Sequence, residues 1–327
     1  MKKCLVLGAT GFIGGHIARA ALEAGWEVRC FRREESRFGH LEGLPVDWVC
    51  GDLMDCDSLR RAMEGVDVVF HAAAFYPKEG HPSKIPGQIV QAKQETQNVI
   101  EATSQAEIQK FIYTSSLTTI GHPPLQENRL ADERDVYIPG TLAKSGYYEA
   151  KIVMEELILS ACKTGFPAVV LNPTAVFGPG DVHVTMGGLL IGAAKGWMIG
   201  WLPGEINVVD VRDVGTAHIA AVDRGQIGER YIIGGHNYTV REALTEAARV
   251  AGAKPPKFKI PMWALNSLVI LGEIIPTLPL PSNHLRAVHL WQGYNTDKAA
   301  KELGFTPRPF EETVRDALDW FQENGLL

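Results

Sequence analysis

Cysteine is scarce. There are five in 327 residues, an odd number, and Cys4, Cys30, Cys50, Cys56 and Cys162 show none of the paired spacings that hold zinc. That excludes a disulfide framework and fits a reducing compartment, so a cytoplasmic location is expected. The ten histidines show no metal-ligand pairing either, and no metal is expected. Long hydrophobic runs are missing. The most membrane-like stretch, Ile260 to Pro281, is broken by Pro261, Glu273, Pro276 and Pro279. It is read as a buried or substrate-facing helix, not a membrane span. The opening Met1-Lys-Lys-Cys-Leu-Val-Leu runs into Gly8 and Gly11 too soon for a secretory signal. Basic blocks are absent as well. Thirty-two Lys plus Arg stand against 38 Asp plus Glu, a net charge of −6. By bulk charge this is a poor nucleic-acid or anionic-membrane binder. There are no internal repeats and no low-complexity tract.

What is present is ordinary globular composition, 46% apolar and 21% charged, in a chain long enough for one large domain or two closely packed ones. Short apolar runs alternate with longer amphipathic ones. Strands are predicted at Cys4–Leu7, Glu27–Phe31, Val46–Cys50, Val66–Phe70, Lys110–Thr114 and Ala168–Leu171. Helices are predicted at Phe12–Ala24, Ser58–Met63, about Gly87–Thr103 and about Ser145–Lys163. This alternation predicts an α/β fold with a Rossmann-type, doubly wound parallel sheet. After Asn172-Pro173 the rhythm changes, and residues 173–207 are rich in Gly and Pro. Val208–Val209 reads as a strand, Arg212 to about Val222 as a helix with Asp210 able to cap it, and Tyr231–Ile233 as the last strand of the sheet. The expected division is a cofactor unit of residues 1–172 and 206–235. A smaller, mostly helical C-terminal lobe for substrate takes 173–205 and 236–327.

Gly8-Ala-Thr-Gly11-Phe12-Ile13-Gly14 lies between the first strand and the first helix. Gly8 allows the tight turn, Gly11 lets the backbone approach a pyrophosphate, and Gly14 lets the helix pack against the sheet. The helix N-terminus then offers amides and partial positive charge to the phosphates, which makes this a dinucleotide site. An NAD site expects a carboxylate at the end of the second strand. Arg32-Arg33 stand there instead, followed by Glu34 and Glu35. A guanidinium fork suits a ribose 2′-phosphate, which favours NADP, with NAD as the alternative.

Tyr147-Tyr-Glu-Ala-Lys151 puts a phenol and an ammonium one turn apart on a predicted helix. The cation stabilises phenolate, so the tyrosine can exchange a proton with a substrate oxygen. Tyr294-Asn-Thr-Asp-Lys298 has the same spacing and is taken as structural. Tyr113-Thr-Ser115-Ser116 ends a predicted strand, where a hydroxyl can hydrogen-bond the reacting oxygen.

These motifs, spread over nearly the whole chain, resemble the extended short-chain dehydrogenase/reductases, whose glycine spacing is GxxGxxG. The resemblance implies that Asp52 and Leu53 contact adenine, and that Ala72, Ala73 and Ala74 form the cofactor-side end of the fourth strand. It assigns Ser116 as catalytic serine, with Ser115 the alternative, Tyr147 as general acid/base, and Lys151 as tuner of Tyr147 and ribose ligand. Asn172, Pro173 and Thr174 would flank the nicotinamide. Glu95-Thr-Gln-Asn-Val99 resembles the central helix, with Ala92 where the family usually has Asn. Dehydratases of this group carry an Asp–Glu pair after the serine, but Ser116-Leu-Thr-Thr-Ile-Gly121 has no carboxylate. Epimerases carry two diphosphate-binding arginines. Ile206 and the stretch Leu290-Trp-Gln-Gly-Tyr294 stand there instead, with Arg286 nearby. Phe75, Tyr76, Trp197, Met198, Trp201, Trp263, Leu265 and Leu268 could line an apolar pocket or form ordinary core. Together these features resemble the dihydroflavonol-reductase and 3β-hydroxysteroid-dehydrogenase-like branch. The implied reaction is NADP(H)-dependent interconversion of a ketone and a secondary alcohol on a hydrophobic small molecule. A nucleotide-sugar 4-epimerase with tightly bound NAD is the alternative. The resemblance also implies a homodimer through the two long helices.

Overall fold

The computed structural model describes residues 1–36, 38–73, 84–142, 145–265, 267 and 287–327, without the side chains of 287 and 289. Ala74, Phe75, Tyr76, Leu268 and Arg286, and most of the stretch from Ile260 to Pro281, lie outside the described residues.

Seven parallel strands form the main sheet: β1 (Lys3–Leu7), β2 (Glu27–Arg32), β3 (Asp47–Cys50), β4 (Val68–His71), β5 (Lys110–Thr114), β6 (Ala168–Pro173) and β10 (Arg230–Ile233). Their spatial order is β10-β6-β5-β4-β1-β2-β3. The direction of winding reverses between β1 and β4, and in such sheets a ligand crevice opens beyond the strand ends at that reversal.

Two dry layers hold the sheet. Cys4, Val6, Cys30, Val68, Phe70 and Ile112 face α1 (Phe12–Glu23) and α6 (Val211–Arg224), against Ile17, Ala21, Val214 and Ala217. Leu5, Leu7, Val69, Phe111 and Tyr113 face the other way. They meet α2 (Cys56–Met63), α3 (Ile85–Gln105) and α4 (Gly146–Cys162) through Leu59, Val99, Ala150 and Met154. Alternate residues of one strand thus serve opposite layers, and this is why the strands read as continuous apolar runs.

The second lobe is mostly helical, as expected, but it also carries a small sheet of its own. Its centre is a three-stranded sheet in the order β11-β9-β7, made of β7 (Ala175–Phe177), β9 (Glu205–Asp210) and β11 (His236–Thr239). The predicted strand at 208–209 therefore exists but pairs here, not in the main sheet, while α6 and β10 return to the main sheet. Helices α5 (Gly187–Ala194), α7 (Val240–Val250) and α8 (Phe310–Glu323) cover this sheet around Phe177, Leu190, Ile206, Phe310, Val314 and Phe321. Local signals set the helix starts. Asp210 accepts from the Arg212 amide at 2.8 Å, and Thr239 and Glu242 form a reciprocal capping box on α7. A two-stranded pair, β8 (Gly200–Trp201) and β12 (Phe258–Lys259), sits at the lobe's edge.

Candidate active site

The glycine turn sits at the winding reversal. Gly8 has φ of +87°, and a Cβ on it would lie 2.6 Å from the Ala73 amide nitrogen. Ala72 in turn donates to the Leu7 carbonyl at 2.9 Å, so Ala72 and Ala73 line the turn. The Gly11 amide closes the turn on the Gly8 carbonyl at 3.0 Å. A Cβ on Gly14 would overlap that same carbonyl. Gly11 is the N-cap of α1 and offers no side-chain acceptor. The first-turn amides of Phe12, Ile13 and Gly14 are thus left for an anion from outside. Side chains are excluded just where a pyrophosphate needs backbone contact, so the residues present fit a dinucleotide.

Further along the crevice, Asp52 is exposed and Leu53 half-buried on the loop after β3. Asn98 of α3 holds that loop by donating to the Leu53 carbonyl at 3.0 Å. Glu95, one turn earlier, is buried, and burial raises its pKa; Asp52 adds to the rise and Arg33 opposes it. Sequence reading took Glu95 only as part of a helix motif. A charged residue at a buried position of an otherwise regular helix was the available signal.

Arg32 has a scaffolding task. Its Nη1 donates to the carbonyls of Arg33, Glu34 and Ser36 at 3.1, 2.7 and 3.0 Å, and its guanidinium lies 4.8 Å from the Phe38 ring centre. Arg33 is exposed, with Nε 3.7 Å from Glu35. The cations thus stand together at the end of β2, one fixed by its own loop and one facing water.

Tyr147 and Lys151 share α4, with Tyr147 half-buried and Lys151 buried. Lys151 Nζ donates to the Thr114 carbonyl at 3.3 Å, at the end of β5. Burial pushes the Lys151 pKa down to about 8, and Glu155 partly offsets this. The Ser116 hydroxyl accepts from the Thr118 amide at 3.2 Å. Its own proton therefore stays available to donate. Ser115 Oγ is buried without a partner among the described residues. Ser115, Ser116 and Lys151 thus meet at the carboxyl end of β5.

Sequence reading missed a buried polar network beneath this point. Asn172, expected beside the nicotinamide, turns its amide to the Ser116 carbonyl at 3.2 Å, Thr119 Oγ1 at 2.9 Å and Glu155 Oε2 at 2.6 Å. Thr119 Oγ1 lies 2.8 Å from Glu155 Oε2 and 3.0 Å from the Ser116 carbonyl. Its single proton goes to the charged oxygen, which leaves Asn172 to hold the Ser116 carbonyl. Arg230 of β10 completes the set as an ion pair, with Nε 2.9 Å from Glu155 Oε1. Thr174 donates to Asn207 Oδ1 at 2.8 Å, and Asn207 to Asn237 at 2.8 Å, linking the end of β6 to the small sheet.

The apolar set divides. Leu265 is buried and Met198 and Trp201 are half-buried, but Trp197 is 67% and Trp263 72% exposed, so those two are not core. A groove of about 990 Å³ lies in the second lobe between Trp201, Pro203, Tyr238, Arg241, Glu246 and Lys259. Ser116, Tyr147 and Lys151 do not line it. Ile206 is buried in the lobe core and Gln292 donates to the Gly121 carbonyl at 2.9 Å, while Arg286 lies outside the described residues. Among the described residues there is no group of metal-ligating side chains.

The chain belongs to the NAD dependent epimerase/dehydratase family, which matches residues 4–234. It is an oxidoreductase of the extended short-chain dehydrogenase/reductase type, in the dihydroflavonol-reductase and 3β-hydroxysteroid-dehydrogenase-like branch. A Synechocystis sp. protein provisionally named a dihydroflavonol 4-reductase is 31% identical, covering 100% of this chain and 97% of its own. Sterol demethylase protein B of Methylococcus capsulatus is 28% identical over 99% of both chains. A crystal structure of a nucleoside-diphosphate-sugar epimerase from Pseudomonas aeruginosa superposes with a TM-score of 0.85 at 27% identity, over 100% of this chain and 99% of that one.

Proposed function

We infer that the protein interconverts a ketone and a secondary alcohol on a hydrophobic small molecule, with NADP(H) as cofactor. The observation that carries this reading is the placement of Lys151, buried one turn from Tyr147 and bonded to the end of the serine-bearing strand. A bound nicotinamide supplies or accepts the hydride. The glycine turn, Asp52, Leu53, Ala72 and Ala73 hold the dinucleotide. Arg32 or Arg33 takes the 2′-phosphate, and Thr174 borders the reacting end. Lys151 holds the ribose and keeps positive charge beside the Tyr147 phenol. Ser116 donates a hydrogen bond to the substrate oxygen, and Tyr147 gives or takes that oxygen's proton. Names among the relatives, a dihydroflavonol reductase and a sterol demethylase component, support a hydrophobic substrate.

The units 1–172 with 206–235, and 173–205 with 236–327, divide cofactor from substrate in this reading, with β9 at the junction pairing in the lobe's sheet. A cytoplasmic homodimer joined through the outer faces of α3 and α4 belongs to the same proposal; Val90 on α3 is 66% exposed.

Titration of purified protein with NADPH and NADH tests the cofactor. Arg32→Ala and Arg33→Ala are each expected to be compared with wild type, and one of them should weaken NADPH about tenfold or more while sparing NADH. Equal affinity for both cofactors in all three proteins would end the 2′-phosphate assignment. The Pseudomonas aeruginosa likeness favours a second reading, a nucleotide-sugar 4-epimerase that retains NAD. NAD copurifying with the protein would move that reading to the front.

A further inference from the structure

Two stretches far apart in sequence meet at the edge of the second lobe. Phe258 pairs with Gly200 and Lys259 with Trp201. The Lys257 amide donates to Ile199 and the Ile260 amide to Trp201, both at 2.9 Å. On this unit and just beyond it, Trp197, Ile199, Phe258 and Trp263 are 67%, 63%, 51% and 72% exposed. Single exposed apolar residues are ordinary, but four large ones gathered on one small unit mark an interaction surface.

Lysines are the charges nearest to them in sequence. Lys195, Lys254, Lys257 and Lys259 are exposed, and no ion pair engages any of them among the described residues. Lys195 lies 5.1 Å from the Trp197 ring centre. The sequence has no Asp or Glu from Val182 to Gly204, nor from Ala247 to Gly272, in a chain whose net charge is −6. The acids across the neighbouring groove are committed elsewhere: Glu246 to Arg249 at 2.7 Å, and Glu242 to the Thr239 capping box.

We propose that this face lies on the surface of an anionic phospholipid bilayer. Indole and phenyl rings settle at the headgroup level, where one end is apolar and the other wet, and lysines reach past them to the phosphates. A folded protein partner would need a carboxylate at a set place for each ammonium group. A bilayer supplies anions wherever the lysines fall. The proposed contact is one of surface with surface; no helix of the described residues is long and apolar enough to cross a membrane. Bulk charge does not describe such a face, because folding brings lysines together from two separate stretches.

The test is co-sedimentation of the full chain with vesicles of phosphatidylcholine alone, and of phosphatidylcholine with about one-third phosphatidylglycerol, the surface charge that should attract each lysine. Wild type should pellet with the anionic vesicles, stay in solution with the neutral ones, and be released by high salt. Lys254→Gln and Lys257→Gln should each weaken binding about fivefold. Trp197→Ala with Trp263→Ala should abolish it. Cofactor titration shows that each variant is folded, and vesicle binding is read without substrate, so it stands or falls apart from the catalytic assignment. No pelleting of wild type, or equal pelleting of the variants, overturns the proposal. So does self-association that the double tryptophan variant abolishes in the absence of vesicle binding, which would give the face to a second copy of the chain.

Discussion

The cofactor half and the second lobe solve the same packing problem with different margins. The main sheet is covered by helices on both faces, and Leu5, Leu7, Val69, Phe111 and Ile112 have no exposure at all. The lobe's strands are two to six residues long, and its edge pair leaves Phe258 and Trp201 partly in water. The first arrangement leaves close-packed side chains little room to shift. The second leaves apolar side chains at the surface.

Four substitutions and one titration probe this contrast. Tyr147→Phe should have the largest effect, cutting turnover by about 10²–10⁴-fold while NADPH binding persists. Turnover within tenfold of wild type would remove Tyr147 from the proton transfer. Gly14→Ala should come next, at about 1–3 kcal/mol of stability with loss of cofactor binding, because the new methyl group meets the Gly8 carbonyl. Its counterpart in the lobe is Gly188→Ala in α5, where the nearest heavy atom to a new Cβ is 3.7 Å away. That change should be neutral or stabilising by up to about 1 kcal/mol in a thermal melt. Equal penalties at the two glycines would break the comparison.

Acid should act mainly on the cofactor half. Burial pushes His16, His40 and His218 down to about 4 and His71 to about 3. Below pH 6.5 the unfolded chain binds protons that these folded imidazoles refuse. Stability is therefore lost between about pH 6.5 and 4, by up to about 1.4 kcal/mol per pH unit for each histidine. Melting midpoints recorded across that range should fall steadily; a flat profile would mean that the rings are solvated. The smallest effect is expected from Trp197→Ala, within about 0.5 kcal/mol, since the indole is mostly in water.

Much of this was legible in advance, for a physical reason. Strands buried on both sides must be apolar throughout, so β1, β4, β5 and β6 announce themselves, and glycines that admit no Cβ leave a fixed spacing. Asp210 was readable as a cap because capping is a local interaction. The lobe was less legible because β7, β9 and β11 are short and pair across long sequence separations. β9 looks like any strand, and nothing local says which sheet it joins. The side-chain partners of Asn172, Glu155 and Ser116, lie 17 and 56 residues away, so no local signal names them. The lysine-ringed aromatic face was hidden for the same reason.

The Glu155–Arg230 pair has a consequence for the order in which the chain acquires its chemistry. Ser116, Tyr147, Lys151 and Glu155 leave the ribosome well before Arg230. Until β10 docks beside β6, α4 would bury a carboxylate without its counter-charge, a loss of about 3–5 kcal/mol for such a pair. The reactive side chains are thus made early and assembled late. A truncated product ending before residue 230 holds the serine, tyrosine and lysine of the site but lacks the arginine that pairs with Glu155.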